Sequence, residues 1–203
     1  MAIRVTGGVL RGRQLRVPAG AVRPTQDRVR AAVFSMLGAS VAHARVLDLF
    51  AGTGVLGLEA YSRGAALAVW VERQRRVWAN LCENIRALSG AAPAVALDRD
   101  GPATGLVCIC DDVLRFLSRR AAAGTGLQFD LVFADPPYER DGALLKKLLP
   151  ALAPGAILHP NAGLVLEQPS ALAPLATPGW DLLRDRRYGE TRVCIYRRAA
   201  AGE

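Results

Sequence analysis

Residues 45–63 read RVLDLFAGTGVLGLEAYSR, and this stretch decides the architecture. Arg45 to Phe50 is a short apolar run of strand character, Ala51-Gly52-Thr53-Gly54 is a glycine turn, and Val55 to Arg63 has the spacing of a helix. Strand, tight turn and helix in that order open an α/β unit. The unit recurs downstream. Leu67 to Glu72 predicts a second strand, and Gln74 to Leu88 a helix with Val77, Trp78, Leu81, Ile85 and Leu88 on one face. Leu106 to Cys110 with Val113 to Arg119, and Phe129 to Ala134 with Ala143 to Leu149, repeat the unit, and Gly163 to Glu167 is a further strand. Such alternation predicts a parallel sheet with helices on both faces and right-handed crossovers. Trp180 to Arg187 and Thr191 to Arg197, joined by Tyr188-Gly189-Glu190, depart from it and read as an antiparallel hairpin at the sheet edge.

Upstream of the glycine turn the chain has another character. Ile3 to Val17 alternates apolar runs with Gly7, Gly8 and Gly12, which predicts a hairpin studded with arginines. Pro18 to Pro24 is a loop, and Thr25 is the expected N-cap of a helix with Val29, Val33, Phe34 and Leu37 on one face, ending at Gly38. Arg28 and Arg30 fall outside that apolar stripe and are expected to face a partner. The organisation is therefore a basic extension over residues 1–38, an α/β domain over 39–198 and a tail over 199–203, with residues 89–105 as a surface insertion.

The charge follows this division. The chain has 203 residues, 51% of them hydrophobic and 22% charged, a globular composition that excludes wholesale disorder. Of the net +8, residues 1–30 supply +6, with seven arginines against the single acid Asp27. A basic segment so dense is the footprint of a polyanionic partner. Cys82, Cys108, Cys110 and Cys194 form no C-x-x-C pair and are expected as free, mostly buried thiols in a reducing cytosol. His43 and His159 lack ligand spacing, so no metal site is expected. The first residues lack the apolar core of a signal peptide, and no apolar run reaches membrane-spanning length, which points to a cytoplasmic protein away from membranes.

Gly52-x-Gly54-x-x-Gly57 after a strand, with Glu72 closing the next strand, has the form of a dinucleotide fingerprint, so an NAD enzyme is one reading. Asp48 argues for another. A carboxylate beside the glycine loop repels a pyrophosphate but attracts a sulfonium and an α-ammonium, so S-adenosylmethionine fits better. Phe50, Gly52, Thr53, Gly54 and Arg73 are placed with Asp48 at this site, and Glu72 is assigned to the ribose hydroxyls. Asp111 and Asp112 end the third strand, where a carboxylate accepts from the adenine amine. Asp112 is preferred, and it is also placed to cap the following helix.

Asp135-Pro136-Pro137-Tyr138 ends the fourth strand, where open α/β sheets bind ligands. The lone pair of an exocyclic base amine is delocalised into its ring. If the Asp135 carboxylate and the Pro136 carbonyl accept the two N–H bonds, that lone pair is aimed at an electrophilic methyl while Tyr138 stacks on the ring. Pro137 stiffens the loop. Catalysis then comes from positioning and from stabilising the developing cation, with no protein nucleophile. Asp135 also borders the cofactor side of the site.

Arg4-Val5-Thr6-Gly7-Gly8, Arg11-Gly12-Arg13, Arg23-Pro24-Thr25-x-Asp27-Arg28-Val29-Arg30, DLFAGTGVLGLEAYSRGA from Asp48 to Ala65, and FADPPY from Phe133 to Tyr138 occur here in order. Together they resemble the RsmD-type 16S rRNA guanine-N2 methyltransferases of bacteria, and the arginine-rich arm is the specific part of the match. The resemblance implies a class I, Rossmann-like methyltransferase fold with a seven-stranded sheet. It also implies methyl transfer from S-adenosylmethionine to N2 of a guanine in 16S rRNA, within the 30S subunit; a monomer is expected. Read so, Arg4, Arg11, Arg13, Arg23 and Arg28 are the expected RNA contacts. The remaining alternatives are another exocyclic-amine methyltransferase, acting on DNA adenine N6 or protein glutamine, and a non-catalytic RNA-binding protein on the same fold.

Overall fold

The computed structural model describes residues 3–17, 27–124, 126–137, 142–152 and 157–199; Arg23, Thr25 and Tyr138, named above, lie outside them. Strands β1 (Ile3–Arg4) and β2 (Gln14–Leu15) precede helix α1 (Asp27–Leu37). The alternating units follow as β3 (Arg45–Leu49), α2 (Val55–Ser62), β4 (Leu67–Glu72), α3 (Arg75–Ser89), β5 (Gly105–Cys110) and α4 (Val113–Ala122). Then come β6 (Phe129–Ala134), α5 (Ala143–Leu152), β7 (Leu158–Pro169), β8 (Trp180–Tyr188) and β9 (Thr191–Arg198).

The main sheet has seven strands in the order β5-β4-β3-β6-β7-β9-β8. Strands β3 to β7 run parallel, and β9 is antiparallel to β7 and β8, as the sequence pattern predicts. β3 pairs with β4 on one side and β6 on the other, so the strand order reverses there and leaves a crevice at the carboxyl ends of these three strands. Being covered on both faces, the central strands are near-continuous apolar runs. Asp48 is the exception in β3, buried between Leu47 and Leu49.

Helices α4 and α5 cover one face, with Phe116, Leu117, Leu145 and Leu148 packed on Leu47, Leu49, Val132 and Leu164. On the other, Val29, Val33 and Phe34 of α1 pack on Val46, Phe133, Val165, Val193 and Ile195. The basic extension is thus fastened to the α/β domain. Its hairpin buries Ile3, Val5, Leu10 and Leu15 against Leu58, Trp70, Leu81 and Ile85, each apolar side chain contributing about 1.5–3 kcal/mol when fully buried. Because β1 and β2 have only two residues each, polar clamps hold the rest of the hairpin on α2. The Glu59 carboxylate accepts from the Thr6 amide and hydroxyl, both at 2.7 Å, and Ser62 Oγ accepts from the Leu10 amide at 2.8 Å.

Two expectations change and a third is refined. Arg30 does not face a partner: it is fully buried, its guanidinium donating to the Arg4 carbonyl at 2.6 Å and to Asp27 at 2.7 Å. A buried cation needs such partners, and here they tie α1 to β1. Residues 89–105 are largely exposed, yet Arg120 anchors them by donating to the Asp98 and Arg99 carbonyls, each at 2.7 Å. Strand β7 starts at Leu158 rather than Gly163. Its register with β6 shifts where Asn161 turns to a φ of 68°, which breaks the apolar pattern that sequence reading follows. Among the described residues no helix is long and apolar enough to cross a membrane.

Candidate cofactor and acceptor site

The glycines of the loop divide by role. The Gly54 carbonyl accepts from the Trp70 indole at 3.1 Å while Gly54 holds a φ of 82°, and a Cβ on Gly57 would lie 2.3 Å from Trp70 Nε1. These two glycines let α2 close onto β4. A Cβ on Gly52 would meet only the Phe50 carbonyl, at 3.9 Å, so that side of the loop is open to a ligand. Thr53 is buried and Phe50, at a φ of 59°, packs partly against the core.

The carboxylates are organised by backbone amides. Asp48 Oδ2 accepts from the Gly57 amide at 2.9 Å, in the first turn of α2. That amide would otherwise serve a pyrophosphate at the helix N-terminus, so the geometry disfavours the dinucleotide reading. Glu72 Oε2 accepts from the Gly52 amide at 3.1 Å and Oε1 from the Gln74 amide at 2.8 Å, which sets this carboxylate beside the glycine loop. Burial pushes the Asp48 carboxyl well above the usual range; the Gly57 amide opposes this, and the charges of Asp135 and Glu72 add to it. Three acids from three strand ends therefore share one field. A cation bound among them relieves their repulsion, so the donor set fits a sulfonium or an ammonium. Arg73, just beyond Glu72, is exposed.

At the end of β5 the two aspartates separate. Asp111 is buried, and its oxygens are taken by Arg115, at 2.5 Å, and by Arg119. Asp112 Oδ1 caps α4 by accepting from the Arg115 amide at 3.1 Å, which realises the capping role and leaves Oδ2 for a further donor.

Asp135, half-buried, follows β6 at the crevice, with Pro136 buried and Pro137 exposed. Beside them lies a cavity lined by Pro136, Pro137, Gly142, Leu144, Leu145, Glu167, Gln168 and Pro169. Sequence reading missed Glu167 and Gln168. Their signal is two polar residues ending the apolar run of β7, and both are buried. Gln168 Nε2 donates to the Leu172 and Ala173 carbonyls at 3.1 and 2.9 Å, while its buried Oε1 has no partner among the described residues.

Asn84, on α3, was missed as well. It is buried, donates to the Arg16 and Thr53 carbonyls at 3.0 and 3.1 Å, and accepts from the Arg16 amide at 2.9 Å. One side chain thus ties the basic hairpin to the glycine loop. Asn84→Ala is expected to cost about 2–3 kcal/mol, because three hydrogen bonds are lost and buried backbone groups are left unpaired. Denaturant unfolding measures this, and wild-type stability in the variant would contradict the tie.

The expected RNA contacts differ in freedom. Arg11 and Arg28 are exposed, whereas Arg4 pairs with Asp27 at 3.3 Å. Arg13 donates to the Leu88 and Ala87 carbonyls at 3.1 and 2.9 Å, capping the end of α3. All four cysteines are free; Cys108 and Cys194 are buried, Cys82 is half-buried and Cys110 is exposed. Burial pushes the Cys82, Cys108 and Cys194 thiols above their ordinary range, so none of these three is a ready thiolate. Among the described residues no group of His, Cys, Asp and Glu is arranged to hold a metal.

The family model described as Conserved hypothetical protein 95 matches residues 3–197. The Ribosomal RNA small subunit methyltransferase D of Escherichia coli K12 is 34% identical over 203 residues, covering 99% of this chain and 92% of its own. The solved structure of the E. coli protein yhhF superposes with a TM-score of 0.79 at 33% identity, covering 99% of this chain and 100% of that one. A hypothetical protein from Thermus thermophilus gives 0.73 at 33% identity, covering 95% and 98%. With a crevice of carboxylates at the strand-order switch and likeness over nearly its whole length, the chain belongs to the Conserved hypothetical protein 95 family, that of the ribosomal RNA small subunit methyltransferases D.

Proposed function

We propose that this protein transfers a methyl group from S-adenosylmethionine to the exocyclic N2 amine of a guanine in 16S rRNA, acting in the cytoplasm as a monomer on the 30S subunit. The observation that carries this reading is the grouping of Asp48, Glu72 and Asp135 at the switch point, beside the cavity that Pro136 and Pro137 line. Family membership supports the substrate class.

When bound, S-adenosylmethionine supplies an electrophilic methyl on a positively charged sulfur. Asp48 provides the counter-charge, Glu72 accepts from the ribose hydroxyls, and Asp112 Oδ2 accepts from the adenine amine, while Phe50, Gly52, Thr53, Gly54 and Arg73 surround the ligand. On the acceptor side, the Asp135 carboxylate and the Pro136 carbonyl accept the two N–H bonds of the guanine amine and hold its lone pair toward the methyl. Proline suits that position because it offers no competing donor. Tyr138 belongs to the same loop as the stacking residue. As the amine gains positive charge, the Asp135 side chain that accepts its hydrogen bond stabilises it.

The test is tritiated methyl transfer from S-adenosylmethionine into 30S subunits, naked 16S rRNA, duplex DNA and protein from a strain lacking the gene. Label is expected on one guanine of 16S rRNA, most strongly in 30S subunits. Label confined to DNA or protein would move the function to another amine, and no label beside intact RNA binding would leave a non-catalytic RNA-binding protein.

A further inference from the structure

We propose that the outer edge of the sheet is a second RNA-binding surface, in which Arg184, Arg186 and Arg187 of β8 hold phosphates of the strand whose base enters the acceptor site. This rests on the rRNA reading above and extends it to a surface that charge clustering along the chain does not reveal. The +6 of residues 1–30 is partly committed to the protein itself, Arg30 being buried and Arg13, though exposed, donating to the carbonyls that end α3. The arm alone is therefore a smaller basic surface than its composition implies.

Strand β8 is the last of the sheet, and its outer edge pairs with no strand among the described residues. Arg184, Arg186 and Arg187 are all exposed along it. Arg184 and Arg186 donate only to carbonyls of their own strand, at 2.8 and 2.9 Å, and none of the three pairs with a carboxylate among the described residues. The neighbouring acid Asp185 is occupied by the buried Arg192 at 3.2 Å.

Register places these arginines relative to the chemistry. Ala134, the last residue of β6, pairs with Leu166; two residues on, Gln168 pairs with Arg192, which pairs with Arg187. Arg187 thus stands level with the acceptor loop, three strands away, or about 14 Å at the usual strand spacing. Arg184 and Arg186 lie opposite Ile195 and Val193, on the face covered by α1, which carries the exposed Arg28. Arg187, opposite Arg192, falls on the other face, so the basic track flanks the sheet edge on both sides, Arg184 and Arg186 on the side of α1 and Arg187 on the other, level with the acceptor loop. Guanidinium groups without acidic partners match a phosphate backbone in charge and in hydrogen-bond geometry. The exposed Leu182 and Leu183 adjoin the track, so a protein partner is the rival that the test must separate.

The full-length Arg184→Ala, Arg186→Ala, Arg187→Ala variant is compared with wild type for binding to naked 16S rRNA and to 30S subunits over a series of salt concentrations. The slope of log affinity against log salt is expected to fall by about 2, since each single-strand phosphate contact contributes about 0.7, and affinity at moderate salt to fall about tenfold or more. At saturating 30S the turnover and the melting temperature should stay at wild-type values, and the triple Arg→Lys variant should keep the slope. An unchanged slope in the alanine variant would overturn the surface, as would a loss seen with 30S subunits but not with naked rRNA, which would make a ribosomal protein the partner. If the wild-type chain labels no 16S rRNA, the rRNA reading itself fails. If it does label rRNA while the variant binds normally, only the surface fails.

Discussion

Asp135→Ala is expected to lower methyl transfer by about 10³-fold while leaving the dissociation constant of S-adenosylmethionine within about threefold. The residue follows the last position of β6, which the parallel pairing of β6 with β3 fixes beside the glycine loop. In the proposed chemistry it accepts a hydrogen bond that strengthens as the amine becomes cationic, an interaction made mainly in the transition state. Its loss therefore falls on turnover rather than on cofactor affinity. Asp135→Asn keeps an acceptor oxygen and removes the charge, so an activity between those of wild type and Ala would divide the effect into geometry and electrostatics. Single-turnover transfer of labelled methyl to 30S subunits, paired with calorimetric titration of the cofactor, measures both quantities. Activity of the alanine variant within tenfold of wild type would remove Asp135 from the reaction.

The parallel sheet was legible because β3, β4 and β6 are apolar runs bounded by turn residues, and local pattern suffices for such strands. Asp48 and Glu72 were legible for a related reason, since a carboxylate inside or ending an apolar strand has little structural excuse. What the sequence hid depends on long-range partners. Arg30 looks like a surface residue on a helical wheel, and only the approach of β1 with its Arg4 carbonyl makes its burial tolerable. Asn84 sits in an ordinary amphipathic helix, and its importance comes from Arg16 and Thr53, 68 and 31 residues away. The arginines of β8 are scattered between apolar and acidic residues in the chain, yet the pairing order sets them on the last strand of the sheet, with Arg187 level with the acceptor loop. Charge density along the sequence and charge density on the surface are different quantities, and folding converts one into the other.

Asp48→Asn is expected to weaken S-adenosylmethionine by on the order of 100-fold, since a unit charge about 4 Å away is worth up to roughly 4 kcal/mol at an effective dielectric near 20. The same substitution is expected to stabilise the ligand-free protein. Burial raises the Asp48 pKa well above its ordinary value, and Asp135 and Glu72 push in the same direction. The folded state therefore holds this proton more tightly than the unfolded chain does. The stability that the proton confers is complete below the unfolded value of about 3.9 and is lost as pH rises through the raised folded value. Asparagine keeps an acceptor for the Gly57 amide and does not ionise, so the melting temperature of the variant should exceed wild type by a margin that grows over that window and then levels off. Each kcal/mol of relieved repulsion corresponds to about 2–4 °C in a protein of this size. In wild type, by the same linkage, a cationic ligand displaces the proton, so S-adenosylmethionine affinity should rise with pH across the window, and in the Asn variant this dependence should flatten. Thermal unfolding and calorimetry from acid to neutral pH test all three effects. A variant that binds the cofactor normally, or one that is less stable than wild type at neutral pH, would mean that Asp48 is a structural cap for α2 and not the counter-charge of the cofactor.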